Sequence, residues 1–273
     1  MPNSDYKVIN TIQNNQKLNY MNRRFSSLLF ILLIVVICQS CKIDKPKETA
    51  LPQKQYVYLT FDDGPLNGSQ NIDSIILVEK IKISVFLIGS EIVGDREMDT
   101  YYKYYEDNPY IEEYNHSFTH GNDQYNVFYG NPHKATEDFL KNQKFLKIQF
   151  KIIRMPACNT WRFNNKKQDD CETNAVATAD SLAARGFKVF GWDVEWQHHA
   201  EDGTPVQSVD EMYQQIMQQL NSDKTFTKNN IVILLHDEMF QRRWEESDLK
   251  QLIDRLRKDK NIVFEQMRFY PQN

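Results

Sequence analysis

Thr60-Phe61-Asp62-Asp63-Gly64-Pro65 puts two adjacent carboxylates at the end of an apolar run, on a bend that Gly64 permits and Pro65 stiffens. One acid of such a pair can hold a cation while the other, kept ionised by it, serves as a base. An acidic turn without chemistry is the plainer reading of this hexapeptide alone; the rest of the chain shifts the balance. His116 and His120, in Asn115-His116-Ser117-Phe118-Thr119-His120, set two imidazoles four residues apart. Together with Asp63 they make a set of two histidines and one carboxylate that suits Zn²⁺ with a position left open for water. Arg154, in Arg154-Met155-Pro156, can orient a buried carboxylate and lower its pKa, and Asp62 is the candidate. His236 closes the run Ile231-Val232-Ile233-Leu234-Leu235. An imidazole there, opposite a base, is a proton donor for acyl cleavage at neutral pH.

These residues need a scaffold that brings distant segments to one place. A strand over 56–61 sends successive side chains to opposite faces, so a loop starting at Asp62 must leave strand geometry to aim both acids. From Gln55 onward, strand-like and helix-like segments alternate. Strands are expected at 56–61, 84–88, 111–115, 151–154, 188–192, 231–235 and 262–265. Helices are expected at 72–80, 91–106, 132–147 capped by Asn131, 175–185 ended by Gly186, 209–220 and 246–258. This alternation implies an α/β fold with a parallel sheet, and about seven units fit one closed or nearly closed barrel in a single domain. Active sites of such barrels lie at the C-terminal ends of the strands. Asp62, Asp63, His116, His120, Arg154, Asp193 and His236 all fall at or just after expected strand ends.

The first residues read as targeting rather than fold. Residues 1–20 are polar and Asn-rich, and Met21-Asn22-Arg23-Arg24 begins a basic stretch followed by the apolar run 28–37. That run is short for a membrane span and has the layout of an export signal. It ends at Cys38-Gln39-Ser40-Cys41, similar to a bacterial lipoprotein signal, which predicts a mature chain starting at a lipidated Cys41. A plain signal peptide and an uncleaved anchor are the alternatives. The expected partition is 1–40 extension and signal, 41–54 tether, and 55–273 folded domain, in a protein anchored by lipid at a bacterial envelope, periplasmic or surface-facing. Cys158 and Cys171 then sit where disulfides persist, and a bond between them is expected, two free thiols being the alternative. The hydrophobic content of 41% is ample for a core, while the net charge of -4 offers no basic footprint for nucleic acid.

In order and spacing, Thr60 to Pro65, His116 to His120, Arg154 to Pro156, Trp192 to Trp196 and Leu234 to His236 resemble the five motifs of the polysaccharide deacetylase family (the NodB-homology domain, carbohydrate esterase family 4). The resemblance covers nearly everything after Gln55, which makes 55–273 a catalytic domain. It implies a distorted (β/α) barrel that removes acetyl groups from an acetylated polysaccharide with a divalent metal, zinc first and cobalt or nickel next. By position it implies Asp62 as base, Asp63, His116 and His120 as metal ligands, Arg154 as the residue orienting the base, and His236 as general acid. The family's oxyanion contact, a backbone N–H, falls on Ala157.

Two stretches depart from the family. Ala157-Cys158-Asn159-Thr160-Trp161-Arg162 stands where an aromatic and a glycine are usual, and His198-His199 stands where the family has Asp-Trp. The acid that tunes His236 is then Asp193 or Glu195, which share a strand face. Trp161, Trp192 and Trp196 are candidates for stacking on sugar rings. The expected activity is deacetylation of an N-acetylated glycan at the envelope. An O-acetyl esterase of the xylan type would use the same mechanism, and a glycan-binding lipoprotein without turnover would account for the altered fourth motif.

Overall fold

Alternate residues of the first strand face two different cores. In β1 (Gln55–Gly64), Val57, Leu59 and Phe61 pack among the helices, while Tyr58 packs on the opposite face of the sheet. This is the period-two pattern of an extended strand buried on both sides. The same parity repeats in β2 (Ile83–Leu87), where Ile83, Val85 and Leu87 face the helices and Phe86 faces inward. The structure, a computed structural model, describes residues 53–171 and 174–272. The expected signal, most of the tether and Cys41 lie outside these residues.

The strands that follow are β3 (Ile111–Asn115), β4 (Ile152–Ile153), β5 (Asn159–Phe163), β6 (Lys166–Asp170), β7 (Lys188–Val189), β8 (Val194–Glu195), β9 (Asn230–His236) and β10 (Ile262–Phe264). They form one sheet in the order β6-β5-β7-β4-β3-β2-β1-β9-β8, with β10 paired to the start of β1. All pairings are parallel except those of β5 with β6 and β7. The sheet curls into a half-barrel whose edges, β6 and β8, do not pair with each other among the described residues. Helices α1 (Ser69–Glu79), α3 (Arg96–Asp107), α7 (Val209–Asn221) and α8 (Asp248–Leu256) cover the outer face. Two more, α5 (Pro132–Phe145) and α6 (Val176–Ala184), close a second core against β4 and β7.

The structure revises the expected elements in four places. First, β1 does not stop at Phe61 but continues through both acids to Gly64, with a register shift against β2 between Phe61 and Gly64. Second, the helix expected over 91–106 is split into α2 (Gly89–Ile92) and α3, because Gly94 takes φ +80° and Asp95 caps α3 by accepting from the N–H groups of Glu97 and Met98. Third, β5 and β6 form a hairpin that the sequence reading lacks; Asn164 and Asn165 make its turn at φ +51° and +61°, a two-residue connection with both central residues left-handed. Fourth, the strand expected over 188–192 shortens to β7, after which Phe190 to Asp193 leave the sheet before β8. Helix α4 (Tyr125–Tyr129) completes the set.

Candidate active site

Asp62 and His236 are opposed in register on the paired strands β1 and β9. By parity Asp62 shares the inward face of Tyr58, and His236 that of Val232. Asp63 would then point outward, but it adopts φ +68° within the register shift, which turns its carboxylate to the same rim. The turn after it is crowded: a Cβ on Gly64 would meet Asp237 Oδ2 at 2.5 Å. Only glycine fits between β1 and that buried acid.

His116 and His120 do not share a helix. Asn115, at the end of β3, accepts from Ser117 N–H and Asn142 Nδ2, while Asp138 of α5 accepts from the N–H groups of Phe118 and Thr119. Left-handed Ser117 and His120 finish the turn, leaving the two rings 5.1 Å apart. His116 Nδ1 lies 3.0 Å from the Arg154 carbonyl oxygen, which only accepts, so Nδ1 carries the proton and Nε2 the lone pair. His120 Nδ1 is likewise 3.2 Å from Asp123 Oδ1. Both Nε2 atoms lie near Asp63 Oδ1, at 3.2 and 3.1 Å, yet that oxygen is buried without a hydrogen bond of ordinary geometry. Three lone-pair donors, all within 4.8 Å of one another, therefore converge on one point. This donor set fits a divalent cation, with second ring nitrogens anchored as metal-binding histidines require.

Arg154 is fully buried behind these groups. Its Nη1 donates to Asp62 Oδ1 at 2.8 Å and to Thr60 Oγ1 at 2.7 Å, while Nη2 and Nε donate to the carbonyls of Gly191 and Phe190. Burial pulls the guanidinium pKa below its ordinary value, and the Asp62 charge works against that pull. One Asp62 oxygen is thus fixed, and the other lies 3.6 Å from His116 Nε2. Ala157 takes φ +53° on the exposed turn after Pro156, and its N–H donates to no acceptor among the described residues.

The two acids, the two histidines and Ala157 line one cleft of about 290 Å³ together with Tyr125, Trp192, Glu195 and Leu234. His236 stands across it, with Nε2 4.0 Å from Asp63 Oδ2 and Nδ1 without a partner among the described residues. Burial lowers its pKa, partly countered by Asp63 and Asp62. Asp193 does not reach His236: its Oδ1 accepts from Phe226 N–H at 2.6 Å and its Oδ2 from Val232 N–H at 2.7 Å. The reason lies in the sheet, since β8 begins pairing with β9 only at Val194 and Ile233, and the Asp193 carboxylate caps the N–H left below. Burial pushes Asp193 up to about 6. Of the two acids weighed from the sequence, Glu195 is the one in the cleft.

The residue beside His236 is another imidazole. His198 lies 4.7 Å away ring to ring, and its Nε2 is 2.6 Å from Glu238 Oε1, a bond that raises the His198 pKa. Sequence reading noted His198 only as a departure and missed Glu238, although its place two residues after His236 was a signal. Tyr125 and Asp123, which meet each other and His120, were also missed, with only their nearness to His120 as a clue.

Of the three candidate tryptophans, only Trp192 faces the cleft. Trp161 is buried in the inner core, stacked on Phe226 at 4.1 Å with the planes 7° apart. Trp196 shares Val194's parity, so it enters the outer core, edge-on to Phe240, with its N–H on the Gln207 carbonyl. Neither is exposed to a sugar. Cys158 and Cys171 are joined in a disulfide.

A mostly parallel sheet with carboxylates and imidazoles gathered at its C-terminal rim, around a point suited to a metal ion, defines a (β/α) half-barrel with a candidate metal centre. The family model described as polysaccharide deacetylase matches residues 50–166. Over these residues, which hold the first three motifs, the chain is similar to that family, in line with the resemblance read from the sequence. A chitin disaccharide deacetylase of Vibrio alginolyticus is 24% identical over 205 residues, 52% of this chain and 48% of that protein, so the match spans about half the length of that relative. A carbohydrate esterase family 4 enzyme of Streptococcus mutans superposes with a TM-score of 0.58 at 20% identity, covering 78% of this chain and 86% of that one. A family 4 pseudoenzyme of Bacillus anthracis superposes at 0.55 with 16% identity, over 80% of this chain and 66% of that one.

Proposed function

We propose that this protein is a metal-dependent deacetylase that hydrolyses acetyl groups on an N-acetylated polysaccharide at a bacterial cell envelope. The observation that carries the reading is the division of partners between two adjacent acids: Asp62 on Arg154, Asp63 with two imidazoles. A divalent cation held by Asp63, His116 and His120 would polarise an acyl carbonyl and lower the pKa of a water, and zinc suits this nitrogen and carboxylate set best. Asp62 receives the proton of the attacking water on the oxygen that Arg154 leaves free. Ala157 N–H donates to the oxygen on which charge develops. His236 gives a proton to the departing nitrogen as the C–N bond breaks, with Glu195 and the Glu238-bound His198 supplying its polar surroundings.

The test is acetate release by the purified protein with Zn²⁺ from a panel of N- and O-acetylated glycans. Asp62→Asn is expected to abolish release while the metal content stays at one per chain. Release from O-acetylated xylan alone would replace the amidase reading with the esterase one. A binding protein without turnover is favoured by His198 standing at the fourth motif; intact metal with no acetate from any substrate would establish it. Envelope attachment through a lipidated Cys41 is part of the proposal, and mass spectrometry of the native N-terminus finding a longer, unmodified terminus would overturn it.

A further inference from the structure

Beside the cleft lies a larger groove of about 630 Å³, in the size range of ligand sites, and Trp192 forms part of the wall of both. Trp192 is pinned there: Asn159 accepts from its N–H and donates to its carbonyl, each at 3.0 Å, and the Arg154 guanidinium lies 5.8 Å from its ring. Phe226 supplies a second aromatic wall, backed by the buried Trp161. The remaining wall comes from β6, the outer strand of the hairpin that follows Ala157, and from Lys224 across the groove.

The charges on these walls are unbalanced. Lys167 is paired with Asp180, but no carboxylate lies within ion-pair distance of Lys166 or Lys224 among the described residues. Of the acids present, Asp193 has both oxygens on backbone N–H groups, and Asp170 alone remains at the exposed end of β6. Two exposed ammonium groups beside a fixed indole and the amides of Asn159 and Gln168 suit a sugar chain that carries anionic groups.

We infer that the groove is a second subsite for the polysaccharide, and that the substrate is an acidic glycan whose carboxylate or phosphate lies near the acetylated sugar. The inference rests on the deacetylase reading for its link to turnover, but not for binding. Two size-matched acetylated oligosaccharides, one neutral and one with a uronate next to the acetylated sugar, separate the effects in the Zn²⁺-loaded full chain. The anionic one is expected to show kcat/KM about tenfold higher through a lower KM, with the advantage lost at high salt and in the Lys166→Glu/Lys224→Glu variant. The neutral substrate is expected to be unaffected, and Lys166→Ala/Lys224→Ala to fall between. Calorimetry with deacetylated uronate and sugar-phosphate oligomers reads the groove alone and tells which anion it takes. Binding of either, weakened in the variants, supports the groove even if no acetate is ever released. Equal kcat/KM for both substrates with no binding of either oligomer overturns it while leaving the deacetylase reading intact.

Discussion

Asp62 and Arg154 form a buried ion pair, with only the Asp62 oxygen that Arg154 leaves free turned to the cleft, and that burial decides how each substitution there should behave. Removing the guanidinium alone strands a buried carboxylate, so Arg154→Met is expected to cost roughly 3–5 kcal/mol in urea unfolding. Removing both charges, as Asp62→Asn/Arg154→Met, is expected to recover much of that loss; equal destabilisation by the single and double variants would refute the pairing argument. Asp237 titrates in the opposite sense to a paired acid. It is fully buried, accepts from Tyr105 at 2.8 Å and from Ser69, and burial lifts it to about 7 from 3.8. The folded chain therefore holds a proton that the unfolded chain has released between about pH 4 and 7, and stability falls as pH rises through that window. Asp237→Asn keeps the acceptor and removes the titration, so the slope of melting temperature against pH should flatten there. Asp193 and Glu113, both raised by burial, keep the remainder. At this scale the positions of Asp62 and His236 at strand ends were readable, whereas Asp62 was expected in a loop and instead lies within β1, where strand parity sets its face. The departure from strand geometry that aims the second acid falls on Asp63 alone, through its left-handed backbone, and Asp193 was not legible because its carboxylate serves a strand end that cannot be placed before the sheet is known.

The β5–β6 hairpin is the element where sequence reading stopped short. Its charged, fully exposed strand Lys166–Asp170 has no apolar alternation to betray it, and only the Asn164-Asn165 turn carried a signal. The disulfide closes this hairpin at its root, since Cys158 directly precedes β5 and Cys171 directly follows β6. Ala157 and Asn159 flank Cys158, so the bond also steadies the proposed oxyanion donor and the clamp on Trp192. Cys158→Ser/Cys171→Ser is expected to lose about 3 kcal/mol of stability, on the loop-closure account. A reductant should lower the wild-type melting temperature and leave the variant unchanged; a reductant with no effect on the wild type would count against the bond's role.

Across the whole molecule, the gathering of the candidate site on one rim was legible because a parallel sheet delivers every strand end to the same side. The four segments that carry Asp62, His116, Arg154 and His236, separated by up to 174 residues of sequence, needed no other information to be placed together. The open edges of the sheet were not legible, because closure depends on how β7 breaks off and where β8 resumes. The pairing of β10 with the beginning of β1 has a consequence for how the domain can be held. Gln55 and Ile262 are opposed in register at the base of the sheet, and the chain climbs roughly 20 Å along β1 before reaching Asp62. The start of β1 thus lies at the end of the sheet away from the cleft. A support coupled through the N-terminal segment is expected to leave the mouth of the cleft accessible to insoluble material too large to diffuse. Coupled to beads through that segment, the protein should keep its activity on a suspended glycan, whereas coupling through a residue introduced at the exposed Glu201, beyond the rim strand β8, should silence it.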